Sequence, residues 1–102
     1  MPIKKRTYTD TFTGADNLAI PAAYEGLPII DLTLDARGTF NSGTVQAQRS
    51  LDGTNYVALG TGLTEDGQEH LADSTLGSGG VYRINSGAVT DVDVVVKVRY
   101  GG

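Results

Sequence analysis

One histidine, His70, sits in the stretch EDGQEHLAD among Glu65, Asp66, Glu69 and Asp73. An imidazole with carboxylates is the raw material of a metal site or an acid–base pair. A single imidazole with scattered carboxylates is a poor ligand set, and the residues fit a solvated polar strand edge better. Any Ser-His-Asp group would have to use His70. The absence of cysteine removes disulfides, thiolate zinc sites and thiol nucleophiles together. Asp91 and Asp93 flank Val92 and share one strand face. Such a pair could hold Ca²⁺ with loop carbonyls, but it reads more simply as an outward face kept charged against edge-to-edge pairing. No apolar pocket is evident that would raise one carboxyl for glycoside chemistry. Gly77, Gly79 and Gly80 in LGSGGVYR neither follow a strand nor open a helix, so they do not make a phosphate cradle.

The stretch RSLDGTNYVAL, residues 49–59, carries Asp52-Gly53 between Ser50 and Asn55. Those residues could form a ligand loop. Asp-Gly is also a favoured pair where a turn needs positive φ, and Ser50 and Asp52 can accept bonds from nearby backbone N–H groups. Turn chemistry accounts for every residue, so a hairpin turn between two strands is expected. Five tyrosines and no tryptophan make a poor sugar-stacking platform. A carbohydrate- or receptor-binding module would have to use Tyr24, Asn41 and Tyr56.

The elements that must position these residues are strands. Apolar residues nowhere recur at helical spacing for three turns, and short segments lie between Gly- and Thr-rich turn signals. RTYTDTFTG alternates Tyr8 and Phe12 with a threonine face, and NLAI is a short strand ended by Pro21. PIIDLTLD directs Ile30, Leu32 and Leu34 inward, after which DARGTFNSG reads as a loop. GTVQAQRS buries Val45 and Ala47. NYVAL is anchored by Tyr56 and Leu59, GTGLTEDG is turn chemistry, QEHLA is a weak strand and DSTLGSGG a flexible loop. VYRIN and DVDVVVKVRY are expected to close as a hairpin across SGAVT. Val92, Val94, Val96, Val98 and Tyr100 form an unbroken inward row there, with Asp93, Lys97 and Arg99 facing water. About eight strands at this spacing predict an all-β fold, an antiparallel, jelly-roll-like β-sandwich. Residues 1–102 read as one such domain, with residues 1–6 an N-terminal arm or a frayed terminus, and the Gly-Gly end an untied one.

With 102 residues, the chain buries roughly two thirds of its unfolded surface, enough for one thin core. Eight basic and twelve acidic residues give a net charge of −4, which argues against nucleic acid as a partner. No secretory signal opens the sequence, and no run could cross a membrane as a helix. No cofactor or metal is expected.

Ser50, Asp52, Gly53, Tyr56, Leu59, Tyr82, Arg83, Ile84, Val92, Val94 and Val96 carry a pattern of strand, S-x-D-G-x-x-Y-x-x-L, polar spacer, Y-R-hydrophobic and V-x-V-x-V. From Gly43 onward the chain resembles the small β-sandwich virion structural proteins of tailed bacteriophages. The resemblance implies a non-enzymatic capsid decoration or cement protein that binds the major capsid protein and is assembled in the host bacterial cytoplasm. It also implies a homo-oligomer, most simply a trimer. The expected interface is Ile3, Lys4, Lys5 and Arg6, reaching an acidic capsid neighbour, with Leu18, Ile20, Tyr24 and Leu27 as an exposed apolar patch. The alternative is that this apolar run packs beneath the sandwich as a long loop.

Overall fold

A computed structural model describes residues 3–77 and 79–101. Met1 and Pro2 of the expected arm, and Gly102, lie outside the described residues. The strands are β1 (Ile3–Phe12), β2 (Asn17–Ile20), β3 (Ala23–Tyr24), β4 (Leu27–Thr39), β5 (Val45–Ser50), β6 (Val57–Leu63), β7 (Gly67–Leu71), β8 (Val81–Ser86) and β9 (Asp91–Gly101). A single helical turn, α1 (Asp73–Leu76), precedes β8. All pairings are antiparallel. One sheet runs β1-β9-β4, with β3 and β7 both joined to β4, and the other runs β2-β8-β5-β6. With the two-residue β3 set aside, the chain changes sheet at every connection except the β5–β6 hairpin. That winding of eight strands into two four-stranded sheets is the jelly roll.

The alternating residues make the core as expected. Val92, Val94, Val96, Val98 and Tyr100 of β9 are almost wholly inaccessible, as are Leu32 and Leu34 of β4 and Val45 and Ala47 of β5. Ile84 and Tyr82 of β8 and Phe12 of β1 close the interior from the other strands. Ile30 departs from the expectation. The β4–β9 register shifts between Ile29 and Asp31, so Ile30 is the extra residue of a bulge. Ile29 takes the core position instead, and Ile30 is half-buried.

Three segments read as turns or loops belong to ordered elements. DARG continues β4, with Ala36 fully buried. Gly38 lets β4 and β9 approach: a Cβ there would lie 2.1 Å from the Asp91 carbonyl oxygen. Gly60, Thr61 and Gly62 stay within β6, where the register with β5 shifts. Within DSTLGSGG, α1 drives Leu76 into the core.

The expected β8–β9 hairpin is also corrected. The two strands lie in different sheets, β8 between β2 and β5, and β9 between β1 and β4. Each carries an apolar row, and crossing over at buried Val89 sets the rows face to face across the core. Asp91 and Asp93 do point outward, but β9 is interior to its sheet, so they guard no edge. The expected arm is likewise a strand. Ile3–Arg6 are the start of β1, paired with Gly101–Val98, and that pairing ties down Gly101 at the Gly-Gly end.

Val96 is fully buried at the centre of this arrangement. Val96→Asp would bury a charge without a partner, at a cost of several kcal/mol, against a total margin of about 5–15 kcal/mol. The variant should be unfolded at room temperature, as read by circular dichroism. A melt like the parent's would show that the side chain does not face the core.

Candidate functional site

The outer face of the first sheet gathers polar side chains into rows across paired strands. Lys5 lies beside Arg99, and Arg99 beside Asp31. The next row runs Thr7, Lys97, Thr33 and His70. The rows beyond contain Thr9, Val95, Asp35 and Gln68, then Thr11, Asp93 and Arg37. Three of the eight basic residues, Lys5, Lys97 and Arg99, therefore share one corner of this face, although the chain is acidic, while Lys4 and Arg6 turn to the other side of β1. The cause is antiparallel pairing, which lays the basic start of β1 against the basic end of β9. A shallow cleft of about 430 Å³ opens here between Lys5, Lys97, Arg99 and His70.

Asp31 is the one carboxylate in that corner's first row, and it is nearly buried. Arg99 donates from Nε to Oδ1 at 2.9 Å and from Nη2 to Oδ2. Those bonds hold the Asp31 carboxyl below its ordinary range and raise the guanidinium in turn. Asp35 is held low as well, first by Gln68 Nε2 at 2.8 Å and then by Arg37. Arg6 lies 4.6 Å from the Tyr24 ring centroid and donates to its hydroxyl at 3.1 Å, so Tyr24 raises its pKa. Lys4 Nζ is 3.7 Å from Glu25, an exposed pair of small energetic weight.

Thr33, His70 and Asp31 form a hydroxyl, an imidazole and a carboxylate side by side, which the spacing of these residues along the sequence conceals. Thr33 Oγ1 is 2.9 Å from His70 Nδ1, but His70 Nε2 is 3.9 Å from Asp31 Oδ2, beyond a hydrogen bond. Asp31 is already engaged by Arg99. Thr33 lies mid-strand, paired with β7 on one side and β9 on the other, so its backbone cannot serve as an oxyanion donor. The arrangement lacks the orientation of a catalytic triad. His70 is an exposed residue of an edge strand, as its sequence context indicates. Its acidic neighbours serve other segments: Glu69 accepts from Thr61 N–H at 2.8 Å and Asp66 from Gly38 N–H at 2.8 Å. Among the described residues no metal-holding cluster forms.

The expected interface divides. Ile3, Lys4, Lys5 and Arg6 are exposed on β1. Ile20 is core, and Leu18, Tyr24 and Leu27 are half-buried against it. The apolar run is therefore no exposed patch; it packs onto the end of the sandwich. Tyr100 Oη donates to the Pro21 carbonyl at 2.7 Å, and Ile29 N–H to Ala22 at 2.9 Å, which holds the 21–26 loop down. The Tyr24 and Tyr100 rings lie 5.8 Å apart. That run therefore offers the expected trimer no exposed apolar patch to bury. Lys97 and Arg99 join the site without having been expected there, because alternation in β9 identifies them only as solvent-facing.

The stretch around Asp52 is a hairpin turn between β5 and β6. Asp52 accepts from Ser50 Oγ, Thr54 N–H, Asn55 N–H and Asn55 Nδ2, each at 2.8 Å. Those bonds, the Asn55 backbone foremost, hold its carboxyl far below the ordinary range. Gly53 has φ +80°. The three residues a sugar- or receptor-binding end would need are held by different parts of the fold. Tyr24 is with Arg6 and Tyr100, Tyr56 lies 3.6 Å under Arg83, and Asn41 sits in the turn after β4.

No protein-family model and no curated protein matches the chain. The solved structures that share its fold include two that it matches over most of its length. One is the Yersinia pseudotuberculosis-derived mitogen, with TM-score 0.55 and 17% identity over 93% of this chain and 84% of that one. The other belongs to the cyanophage Pam1 capsid asymmetric unit, with TM-score 0.55 and 18% identity over 96% of this chain and 83% of that one.

Two outcomes follow from the ion pair and the turn. A carboxylate whose folded pKa is depressed stabilises the fold above its unfolded value, about 3.9, and loses that effect as pH falls through the folded value. Asp31→Asn should lower the melting temperature at neutral pH and flatten its decline between about pH 5 and pH 2; an unchanged acid limb would show that the pair carries none of it. Gly53→Ala should cost about 1 kcal/mol because of the positive φ, and Asp52→Ala should lower the melting temperature while leaving any binding activity intact. If Asp52→Ala abolished binding with no change in melting temperature, the turn would be a ligand site.

Proposed function

We propose that the chain is a non-enzymatic virion structural protein of decoration or cement type, which attaches to a capsid shell and stabilises it. The observation that carries this reading is the likeness, almost end to end in both chains, to a chain of the Pam1 capsid. The pattern of residues from Ser50 to Val96 supports it from the sequence. The basic corner supplies the contact: Lys5, Lys97 and Arg99 project from an otherwise acidic domain toward an acidic patch on the major capsid protein. Such a contact between exposed charges weakens as salt shortens the screening length from about 10 Å at 0.1 M to about 3 Å at 1 M. The fold is shared with a mitogen, so the jelly roll by itself does not select a virion role. A receptor- or carbohydrate-binding module remains the alternative, but Tyr24, Asn41 and Tyr56 supply no common surface for it.

Shells lacking the protein, mixed with the purified chain, should bind it and gain resistance to heat or osmotic shock. Lys5→Glu combined with Lys97→Glu should keep the parent's melting temperature and lose co-sedimentation with the shells. Shells that neither bind the parent protein nor gain resistance would rule out the cement role, and full binding by the double variant would move the contact elsewhere.

A further inference from the structure

β1 is long and regular, and one of its sides has no partner. It pairs with β9 from Ile3 to Phe12 without a register shift, and among the described residues no strand pairs its other side. In an antiparallel ladder, alternate residues turn both N–H and C=O toward the same neighbour. The Thr11 N–H bonds to Asp10 Oδ1 at 2.8 Å, outside the ladder with β9. Thr11 therefore faces away from β9, and by alternation so do Ile3, Lys5, Thr7 and Thr9. From Ile3 to Thr9 these outward groups have no strand partner among the described residues, and such a row is a template for another strand.

The other edges are poorer templates. β2 and β3 have four and two residues, and β7 has five. In β6, Gly60 and Gly62 take positive φ, and the Glu69 carboxylate accepts the N–H groups of Thr61 and Gly62. On β1 only the Thr11 N–H is taken, by its neighbour Asp10, and Lys4, Lys5, Arg6, Thr7, Thr9 and Asp10 are all exposed.

We propose that β1 pairs antiparallel with β1 of a second copy of this chain, about a two-fold axis at Thr7. The charges on the strand select this occupant and this direction. Lys4, Lys5 and Arg6 begin it and Asp10 lies near its end, so a parallel copy would set basic against basic. The antiparallel copy sets Lys4 opposite Asp10 of the second copy, and symmetry repeats the pair. Thr7 faces Thr7 of the second copy and Lys5 faces Thr9, all residues whose backbone groups point outward and can exchange N–H···O bonds. Threonine pairs across strands are favourable. Ile3, 49% exposed, is covered beside Thr11 of the second copy. A two-fold contact of this kind is self-complementary and closes at the dimer. It does not depend on attachment to a shell, so the two readings fail separately.

Sedimentation at micromolar concentration should show a dimer. Thr7→Pro removes an N–H that β9 does not use, a substitution an edge strand tolerates; it should give a monomer with the parent's circular dichroism. Lys4→Glu and Asp10→Lys should each weaken the dimer, and the two together should restore it, which holds even if the proline distorts the strand. In this cysteine-free chain, Thr7→Cys should oxidise to a covalent dimer, since a hydrogen-bonded pair separates Cα atoms by about 5.5 Å, within disulfide reach. A parent protein that stays monomeric, a dimer that survives Thr7→Pro in a native-like fold, or a charge swap that fails to restore association would each overturn the proposal. Protection of the β1 amides from exchange only when shells are added would also overturn it, assigning the edge to a foreign strand.

Discussion

The structure depends on one strand. β9 is paired along nearly its whole length on both sides, with β1 and with β4, and its inward side chains from Val92 to Tyr100 are sealed from solvent. A strand with neighbours on both sides has no free backbone groups to satisfy, and its β-branched residues fit a pleated surface that is buried on one face. Burying such a row requires a second sheet opposite. The strands β2, β8, β5 and β6 provide it through Ile20, Ile84, Val45 and Ala47. The thin core that a chain of this length can afford is therefore concentrated on a single seam.

The chemistry of the surface follows from the same strand. Because β9 is central, its outward residues lie between those of β1 and β4, and Lys97 and Arg99 meet Lys5 on one side and Asp31 and Thr33 on the other. Toward the opposite end of β9 the same face turns acidic at Asp93 and Asp91. The face is thus polar along its length, basic where β1 begins and acidic where β9 begins. Asp31 neutralises only part of the basic corner, since it is engaged by Arg99.

Two-residue alternation made much of this legible beforehand. The inward row of β9, the burial of Leu32, Leu34, Val45 and Ala47, and the Asp52-Gly53 turn all follow from local side-chain type and period. Alternation fails where the backbone adds a residue or changes φ. The bulge at Ile30 exchanges its place with Ile29, and Gly38, Gly60 and Gly62 extend strands through residues that look like turns. Glycine is ambiguous in sequence for that reason: it serves a turn and a kinked strand equally.

Local composition by itself determined that the chain would be β-rich, cysteine-free, acidic and dependent on its last strand. Those properties reside in single residues and their immediate neighbours. Only the tertiary structure decided which strands share a sheet. It placed β8 and β9 on opposite layers, drew Leu18, Ile20, Tyr24 and Leu27 onto the end of the core, and brought Lys97 and Arg99 to the lysines of β1. Pairing partners in a jelly roll are separated by most of the chain, so the contacts that make the basic corner and free the β1 edge are set by the winding of the whole. No window of neighbouring residues contains them.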